Sequence, residues 1–376
     1  MRDRVHISRL ELTDFRNYQR LRLDLNERHV VLTGENGAGK TNLMEAVSYL
    51  SPGRGLRRAS YGEAARHGAD GGFTIFAALD GMAGPAEIGT AAGGDGEAGS
   101  RRLRINGAPA KTNDELLDHL RVAWLTPAMD GLFTGSAGDR RRFLDRMVLS
   151  VDPLHGRRAI DYERAMRSRN RLLAEGRLDP AWLGGLETQM AELGIAMALA
   201  RRDLVALLKG VIERGQEGEG VFPRAEIALD GFFDDADAPA VDLESHYIET
   251  LREGRRRDQA AGRTLEGPHR SDLMIRHRAK AMPAALSSTG EQKALLVGLV
   301  LAHARLTAEM TGAAPLLLLD EIAAHLDAGR RAALFDLIDA LGGQAFMTGT
   351  DRAMFSALGS RAQFLNVGDG AVTPET

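Results

Sequence analysis

A glycine-rich loop near the start of the chain restricts the possible fold more than any other feature. Residues 34–41 read GENGAGKT and satisfy the pattern G-x-x-x-x-G-K-[ST] in full. The apolar run His29–Thr33 before the loop is typical of a buried strand, and Thr41–Leu50 after it is typical of a short helix. A strand, a glycine turn and a helix in this order predict an α/β fold.

The residue types in this loop indicate the binding of a nucleoside triphosphate. Glycines let the backbone curve so that successive N–H groups point at phosphate oxygens, and the N-terminus of the following helix adds a positive dipole end. Lys40 can reach the β- and γ-phosphates, which gives it a catalytic role, and the Thr41 hydroxyl can bind Mg²⁺. ATP and Mg²⁺ are therefore the predicted cofactors. The predicted nucleotide-binding residues are Gly34, Glu35, Asn36, Gly37, Ala38, Gly39, Lys40 and Thr41.

An acidic pair far downstream supplies the partner that such a loop requires. Leu316–Leu319 is typical of a buried strand and is followed directly by Asp320 and Glu321. Asp320 is suited to bind Mg²⁺, and Glu321 is suited to polarise the attacking water as a catalytic base. Many buried strands end in an acid, so this run is a weak signal alone. Together with the loop it predicts ATP hydrolysis.

A third motif opens the long apolar helix Ala294–Leu306. Ser288, Gly290 and Glu291 form a Ser/Gly turn at its N-terminus, which suits a phosphate but equally suits an ordinary capping box. The turn resembles the signature loop of the ABC ATPases in its SMC-like variant, and Leu326-Asp327 resembles their D-loop. In that superfamily the signature loop of one subunit completes the ATP site of another. The resemblance therefore implies a homodimer closed by ATP.

Two positions depart from the ABC pattern. Thr348 follows the predicted strand Ala345–Met347, where a switch histidine is common, and no glutamine of a Q-loop is evident in Leu125–Asp130. Without an imidazole near the γ-phosphate we expect slow hydrolysis. ATP is then expected to set how long the protein stays closed as a clamp and not to power repeated movement.

Further segments of the chain narrow the resemblance. Together with the motifs above they are Asp14–Tyr18, Gly34–Thr41, Pro127, Gly135, Arg140–Asp145, Tyr162, Arg169-Asn170, Gly267–Asp272, Ser288–Lys293 and Asp320–Asp327. Through these segments nearly the whole chain resembles the RecF family of bacterial recombination and repair ATPases. The resemblance implies ATP-dependent binding of double-stranded and gapped DNA or single-strand/double-strand junctions. It also implies cooperation with the RecR and RecO mediators, which aid RecA loading in recombinational repair and replication-fork maintenance.

Sheet-forming sequence lies at both ends of the chain, with helical sequence between. We predict an ABC-type P-loop ATPase head formed by residues 1–138 and 263–376, with an inserted helical lobe at 139–262. Leu and Ala at helical spacing predict helices over Asp139–Gly215. Gly81–Ser100 is expected to be a loose loop, and Glu226–Glu249 to be loops around short strands.

Charge alone leaves DNA binding open. The net charge is −4, yet Asp139–Arg171 holds ten arginines against five acids. Such a patch can follow a phosphate backbone, although an arginine-rich helix face is as often simply solvated. The arginines of 140–142 have a structural alternative, which is pairing with Asp139 and Asp145. The candidate DNA-binding residues are Arg57, Arg58, Arg141 and Arg142.

Other classes of protein fit the composition less well. The chain has no cysteine, and it has no uncharged apolar stretch of about 18 residues, so we expect a cytoplasmic protein with no membrane partner. Ten histidines show no metal-ligand spacing. One alternative function is the nucleotide-binding ATPase subunit of a membrane transporter, which would need a Q-loop groove. Another is an SMC-type head, which would need long heptad arms.

Overall fold

The computed structural model describes residues 4–69, 72–93, 101–176, 179–215, 221–232, 238–368 and 370–375. The strands are β1 (His6–Phe15), β2 (Tyr18–Asp24), β3 (His29–Thr33), β4 (Phe73–Gly81), β5 (Gly84–Ala92), β6 (Arg101–Ile105), β7 (Ala108–Pro109), β8 (Val122–Leu125), β9 (Ala225–Asp230), β10 (Asp272–His277), β11 (Met282–Pro283), β12 (Leu316–Leu319), β13 (Ala345–Thr348), β14 (Ala362–Gly368) and β15 (Ala371–Pro374). The helices are α1 (Lys40–Ser48), α2 (Tyr61–Ala64), α3 (Ala137–Leu149), α4 (His155–Ala174), α5 (Pro180–Arg214), α6 (Ala240–Glu253), α7 (Arg255–Ala261), α8 (Thr289–Thr311) and α9 (Ala328–Leu341).

A mostly parallel sheet of six strands carries the glycine-rich loop. Its strand order is β15-β14-β3-β13-β12-β8, and only the β14–β15 pair is antiparallel. Strand β3 lies between β13 and β14, so that Val30 pairs with Phe346 on one side and with Gln363 on the other. All residues of β3 and β12 are buried, as expected for central parallel strands. The prediction of an α/β head built from both chain ends is confirmed.

A second sheet is antiparallel, with the order β2-β1-β4-β5-β6-β7. The predicted loop at Gly81–Ser100 is wrong for Gly84–Ala92, which is strand β5 and pairs with β4 along its whole length. Alanine and glycine supply five of its nine residues, and Ile88 is its one large β-branched residue, so the sequence signal for a strand is weak. Residues 94–100 of the predicted loop lie outside the described residues.

The chain divides into two compact units. The first comprises Met1–Asp130, Glu217–Phe222 and Leu296–Thr376, and it holds both six-stranded sheets. The second comprises Gly131–Gln216 and Pro223–Leu295. The predicted domain ranges differ from these units at residues 131–138, 217–222 and 263–295, and as functional domains they stay a prediction.

The second unit contains helices and a small sheet. Helices α3, α4 and α5 confirm the helical prediction for Asp139–Gly215. A three-stranded sheet, β11-β10-β9, accompanies them. The expectation of loops over Glu226–Glu249 is wrong from Ala240 onward, where α6 begins and buries Leu243, Tyr247 and Leu251 at four-residue spacing. Residues 233–237 lie outside the described residues.

Helix α8 is long and apolar enough to cross a membrane by length and composition alone. However, 67% of its most apolar window is buried inside the fold. Core helices of water-soluble proteins commonly have this composition, because a helix that is apolar all round is one that is buried.

Candidate nucleotide site

The loop after β3 adopts a backbone that only glycine accepts at several positions. Gly34 and Gly39 have φ values of 135° and 112°. A Cβ on Gly34 would lie 2.2 Å from the carbonyl oxygen of Val367, and one on Gly39 would lie 2.7 Å from the Tyr18 hydroxyl. The loop is therefore wedged between β14 and the start of β2, and both glycines are required sterically as well as conformationally.

The Lys40 side chain folds back and binds the backbone of its own loop. Its ammonium donates to the carbonyl oxygens of Gly34 and Glu35, both at 2.7 Å. Burial lowers the pKa of Lys40, against the opposing charges of Glu321 and Asp320. The ammonium is thus held by two backbone carbonyls of its own loop, and when a nucleotide binds it can exchange them for phosphate oxygens that the N–H groups of the loop also bind.

A cavity of about 680 Å³ opens beside this loop. It is lined by Glu35 and Asn36 of the loop, by Asp351 and Arg352 after β13, and by Glu375 near the chain end, among others. Small-molecule sites typically measure about 300–1,000 Å³. The cavity lies where the strands β3 and β13 end, which is the usual ligand position in parallel α/β sheets.

Asp320, directly after β12, contacts Thr41 at the end of the glycine-rich loop. The Thr41 hydroxyl lies 3.1 Å from each carboxylate oxygen of Asp320, and the Thr348 hydroxyl donates to one of them at 2.7 Å. The donor set suits Mg²⁺, because hard cations prefer oxygen ligands, and neighbouring ligands of an octahedral Mg²⁺ lie about 3 Å apart. The structure thus brings together the two residues that the sequence predicts for the metal.

Glu321 is held in an unusual backbone conformation. Its φ is 54°, in the left-handed region that a non-glycine residue enters at an energetic cost. Its N–H donates to the Thr348 hydroxyl at 2.8 Å. Thr348, at the position where a histidine was expected, is fully buried and joins Asp320 to Glu321 through one hydroxyl. Sequence reasoning had noted the missing histidine but not this role.

Tyr18 and Arg16 lie beneath the loop. Two roles suit these side chains, contact with an adenine or packing at a strand end. Tyr18 is buried and its hydroxyl donates to the Gly39 carbonyl at 3.1 Å, while Arg16 contacts both carboxylate oxygens of the fully buried Glu45, at 2.8 and 2.6 Å. The geometry favours the packing interpretation, in which these side chains support the loop.

The candidate DNA-binding arginines have protein partners of their own. Arg57 pairs with Glu45 at 2.8 Å, and Arg142 pairs with Asp139, as the structural alternative had it. Arg141 donates to the Ser271 carbonyl at 2.7 Å, and burial lowers its pKa. Arg58 is exposed and has a φ of 56°.

The arginine excess in Asp139–Arg171 is largely compensated by neighbouring acids. None of its ten arginines is without a partner. The pairs around α4 are Arg157–Asp161, Arg158–Asp152, Arg164–Asp161, Arg167–Glu163 and Arg171–Glu175. Such exposed pairs contribute only about 0–1 kcal/mol each, so a phosphate can displace them at little cost.

The Ser288 turn shows the capping geometry. The Glu291 carboxylate accepts from the Ser288 N–H at 3.1 Å, the Ser288 hydroxyl faces the Glu291 N–H at 3.4 Å, and Lys280 pairs with Glu291 at 2.5 Å. Lys280 and the Ser288 hydrogen bonds hold the pKa of Glu291 at about 2. A Cβ on Gly290 would meet nothing within 4 Å. The open turn leaves room for a phosphate group. Its role as a signature loop stays a prediction.

Some of the segments that carry the family resemblance contribute to a polar core in the second unit. Arg169 is fully buried, with Glu187 at 3.1 Å and Asp258 at 2.7 Å. Arg201 pairs with Asp145 at 2.8 Å. Sequence reasoning missed Glu187 and Arg201, although both lie on the apolar face of α5, 14 residues or about four helical turns apart. Among the described residues, no group of histidines and acids is arranged to hold a metal ion.

The chain matches known proteins over its whole length. A family model described as the RecF/RecN/SMC N-terminal domain matches residues 6–370. The DNA replication and repair protein RecF of Rhizobium meliloti (strain 1021) is 68% identical over 374 residues, covering 99% of this chain and all of that protein. The protein of the same name from Agrobacterium fabrum (strain C58) is 68% identical over 375 residues, with the same coverage.

Solved structures confirm the fold class. The recombination mediator protein RecF-ATPrS in the RecFOR pathway superposes with a TM-score of 0.86 at 22% identity, covering 100% of this chain and 99% of that one. The Smc head domain from Pyrococcus furiosus gives 0.53 at 16% identity, covering 99% and 96%. The identities to the two curated relatives and the match to the family model together establish that this chain belongs to the RecF family of the RecF/RecN/SMC ATPases.

Proposed function

We propose that this protein is an ATP-dependent DNA-binding protein of DNA replication and recombinational repair. The observation that carries the proposal is the contact of Thr41 and Asp320 at 3.1 Å, which joins the glycine-rich loop to an acidic strand end over 270 residues away. Relatives that are 68% identical over their whole length are named DNA replication and repair proteins. That name also weighs against the transporter alternative.

Each residue of the site has a distinct role in this proposal. The N–H groups of residues 34–41 and the Lys40 ammonium hold the phosphates of ATP. Thr41 and Asp320 would hold Mg²⁺, whose charge would offset that of the phosphates. Glu321 orients and deprotonates the attacking water, and its strained backbone is fixed by Thr348. Hydrolysis is slow because a threonine hydroxyl occupied by Asp320 replaces a free imidazole.

We further propose that ATP closes a homodimer in which Ser288, Gly290 and Glu291 of one copy approach the nucleotide of the other. The turn formed by these residues is exposed. The dimer acts in the cytoplasm on double-stranded and gapped DNA and, as family membership suggests, with RecR and RecO. An SMC-type head with long arms is less well supported, because the longest described helix, α5, has 35 residues.

The test of nucleotide-driven dimerisation measures molar mass by light scattering, with and without ATP and Mg²⁺. The wild type is expected to double its mass, and Lys40→Arg to stay monomeric, because a guanidinium cannot fit between the carbonyls of Gly34 and Glu35 at 2.7 Å. Lys111→Arg, at an exposed site, is the matched control. If the Lys40→Arg variant dimerises as fully as the wild type, the proposal that ATP closes the dimer is refuted.

The test of DNA association uses Glu321→Gln and a gapped duplex. This variant is expected to bind ATP without hydrolysing it, so its complex with DNA dissociates at least about tenfold more slowly than that of the wild type. An unchanged hydrolysis rate would remove Glu321 as the base. Absence of ATP-dependent DNA binding by the wild type would refute the proposed function itself.

A further inference from the structure

The segment Gly267–Asp272 is anchored to the second unit at all but one of its residues. The Pro268 carbonyl accepts from Arg201 at 2.6 Å, and the Ser271 carbonyl accepts from Arg141 at 2.7 Å. Asp272 forms a two-bond pair with Arg140 at 2.8 and 2.6 Å. The family resemblance drew attention to this segment, but the nucleotide site does not use it.

Two further residues fix the backbone of the segment from below. The His269 ring contacts the Tyr162 hydroxyl at 2.9 Å and the Thr264 carbonyl at 3.0 Å. Gly267 has a φ of 139°, and a Cβ there would lie 2.1 Å from the Tyr247 hydroxyl. The backbone is therefore held by side chains from several elements, and the segment presents its outer surface rigidly.

Arg270 is the exception. Its side chain is exposed, and no described residue forms a hydrogen bond or ion pair with its guanidinium. Other basic side chains act in the same region. Burial lowers the pKa of His269, and the positive charges of Arg270 and Arg141 lower it further. An exposed guanidinium without a described partner contributes little to the stability of the fold, and an anion placed there would satisfy its donors.

We infer that Arg270 is a phosphate-contacting residue whose ligand is the phosphodiester backbone of nucleic acid. A guanidinium binds phosphate oxygens through two parallel hydrogen bonds, and a rigid mounting reduces the entropy lost when they form. The inference rests on the proposed function, since it assigns one of the DNA contacts that this function requires.

The exposure of Arg270 favours a polymeric phosphate over the triphosphate of a nucleotide. Nucleotides are usually enclosed in concave sites, such as the cavity beside the glycine-rich loop. A backbone phosphate of DNA needs only an accessible cation at a fixed position.

The experiment measures binding of wild type and variants to a gapped duplex with ATP and Mg²⁺ at several salt concentrations. Arg270→Ala is expected to bind about tenfold more weakly, with the slope of log K against log salt reduced by about 0.9, which is the value for one lost phosphate contact. Arg270→Lys keeps the charge and is expected to keep the slope while losing part of the affinity. A merely structural role would not change the slope.

The control is Arg256→Ala, which removes an exposed arginine on α7 for which no described residue is a partner. It is expected to behave like the wild type, and an equal loss in affinity and slope would show a general charge effect and overturn the inference. Arg270→Ala within twofold of wild-type affinity, with the same slope, would also overturn it.

A second experiment distinguishes the two ligands that could supply the phosphate, nucleic acid and a nucleotide. If Arg270→Ala impairs ATP-driven dimerisation without DNA and leaves DNA binding intact, the ligand is a nucleotide on a second copy and the assignment to nucleic acid is wrong. If the wild type itself binds no DNA, the proposed function fails, whereas a defect limited to Arg270→Ala confirms both. Equal thermal midpoints of all variants show that folding is unaffected.

Discussion

Replacing Thr348 by valine tests how the acidic end of the nucleotide site is held. Valine has nearly the shape of threonine but lacks the hydroxyl. In the native structure that hydroxyl donates to Asp320 at 2.7 Å and accepts from the Glu321 N–H at 2.8 Å, at a fully buried position. The substitution therefore removes two hydrogen bonds without leaving a cavity.

The size of the effect follows from these two bonds. A buried N–H left without a partner costs about 1–3 kcal/mol, and the lost donor to a carboxylate adds to it, so we expect the free energy of unfolding to fall by about 3 kcal/mol. Glu321 would also lose the bond that holds it at a φ of 54°. Because displacement of a catalytic group by about 1 Å costs about 10²-fold in rate, we expect hydrolysis to slow by that factor.

Two assays separate stability from catalysis. Trp124 is buried in β8 and pairs in register with Leu318 of β12, two residues before Asp320, so its fluorescence reports unfolding near the site. The only other tryptophan, Trp182, is exposed and can be changed to phenylalanine in every variant. Urea unfolding then gives the stability, and single-turnover ATP hydrolysis gives the rate.

Thr348→Ser is the matched control because it keeps the hydroxyl and loses one methyl group. We expect it to lose about 1 kcal/mol of stability and to keep most of its hydrolysis rate. If the Thr348→Val and Thr348→Ser variants hydrolyse ATP at the same rate, the Thr348 hydroxyl does not position Glu321. If valine leaves the unfolding midpoint unchanged, the two hydrogen bonds do not stabilise the site.

Two other predictions concern the polar core of the second unit. Burial alone would raise the pKa of Asp145, but the hydrogen bond from His155 and the charge of Arg201 lower it to about 2. Since the folded pKa is depressed, the stability that this carboxylate supplies is present above pH 4 and should fall by about 2 kcal/mol as the pH drops from about 4 to 2. An Asp145→Asn variant titrated in urea should lose this dependence, and an equally steep fall in that variant would contradict the assignment. Gly267→Ala places a methyl group 2.1 Å from a buried tyrosine hydroxyl and should cost about 3 kcal/mol or more in thermal unfolding. Gly262→Ala, with a φ of 65° and open space around its Cβ, gives the cost of a left-handed backbone without a close contact and should lose about 1 kcal/mol. Gly267, at a φ of 139° and a ψ of 175°, lies in a region that only glycine enters readily, so equal losses would show that neither the contact nor this backbone conformation is important.

The nucleotide site was predictable because its functional residues lie in short sequence motifs. The loop at 34–41 and the acids Asp320 and Glu321 each follow an apolar strand, and parallel strands place such ends together. The role of Thr348 was not predictable, since a single hydroxyl after a strand carries no signal until its neighbours are known. The same holds for Arg57, whose partner Glu45 lies 12 residues earlier, fully buried on α1.

Errors in the fold arose where composition hid the periodicity. Strand β5 is built of small residues, and α6 begins in a segment whose acids suggested loops, although Leu243, Tyr247 and Leu251 recur at helical spacing. Buried charges were missed for another reason. Arg169 finds Asp258 across 89 residues, and no local pattern can reveal such a pairing.

The pairing of β3 with β13 and β14 has a consequence for biosynthesis. Val30 leaves the ribosome more than 300 residues before Phe346 and Gln363, its partners in the finished sheet. At about 5–20 residues per second, translation separates them by tens of seconds, during which β3 is an apolar segment without its neighbours. The sheet that carries the glycine-rich loop is thus incomplete until β13 and β14 have been synthesised. Premature termination should yield polypeptides that chaperones retain and proteases remove, with no partly active ATPase among them.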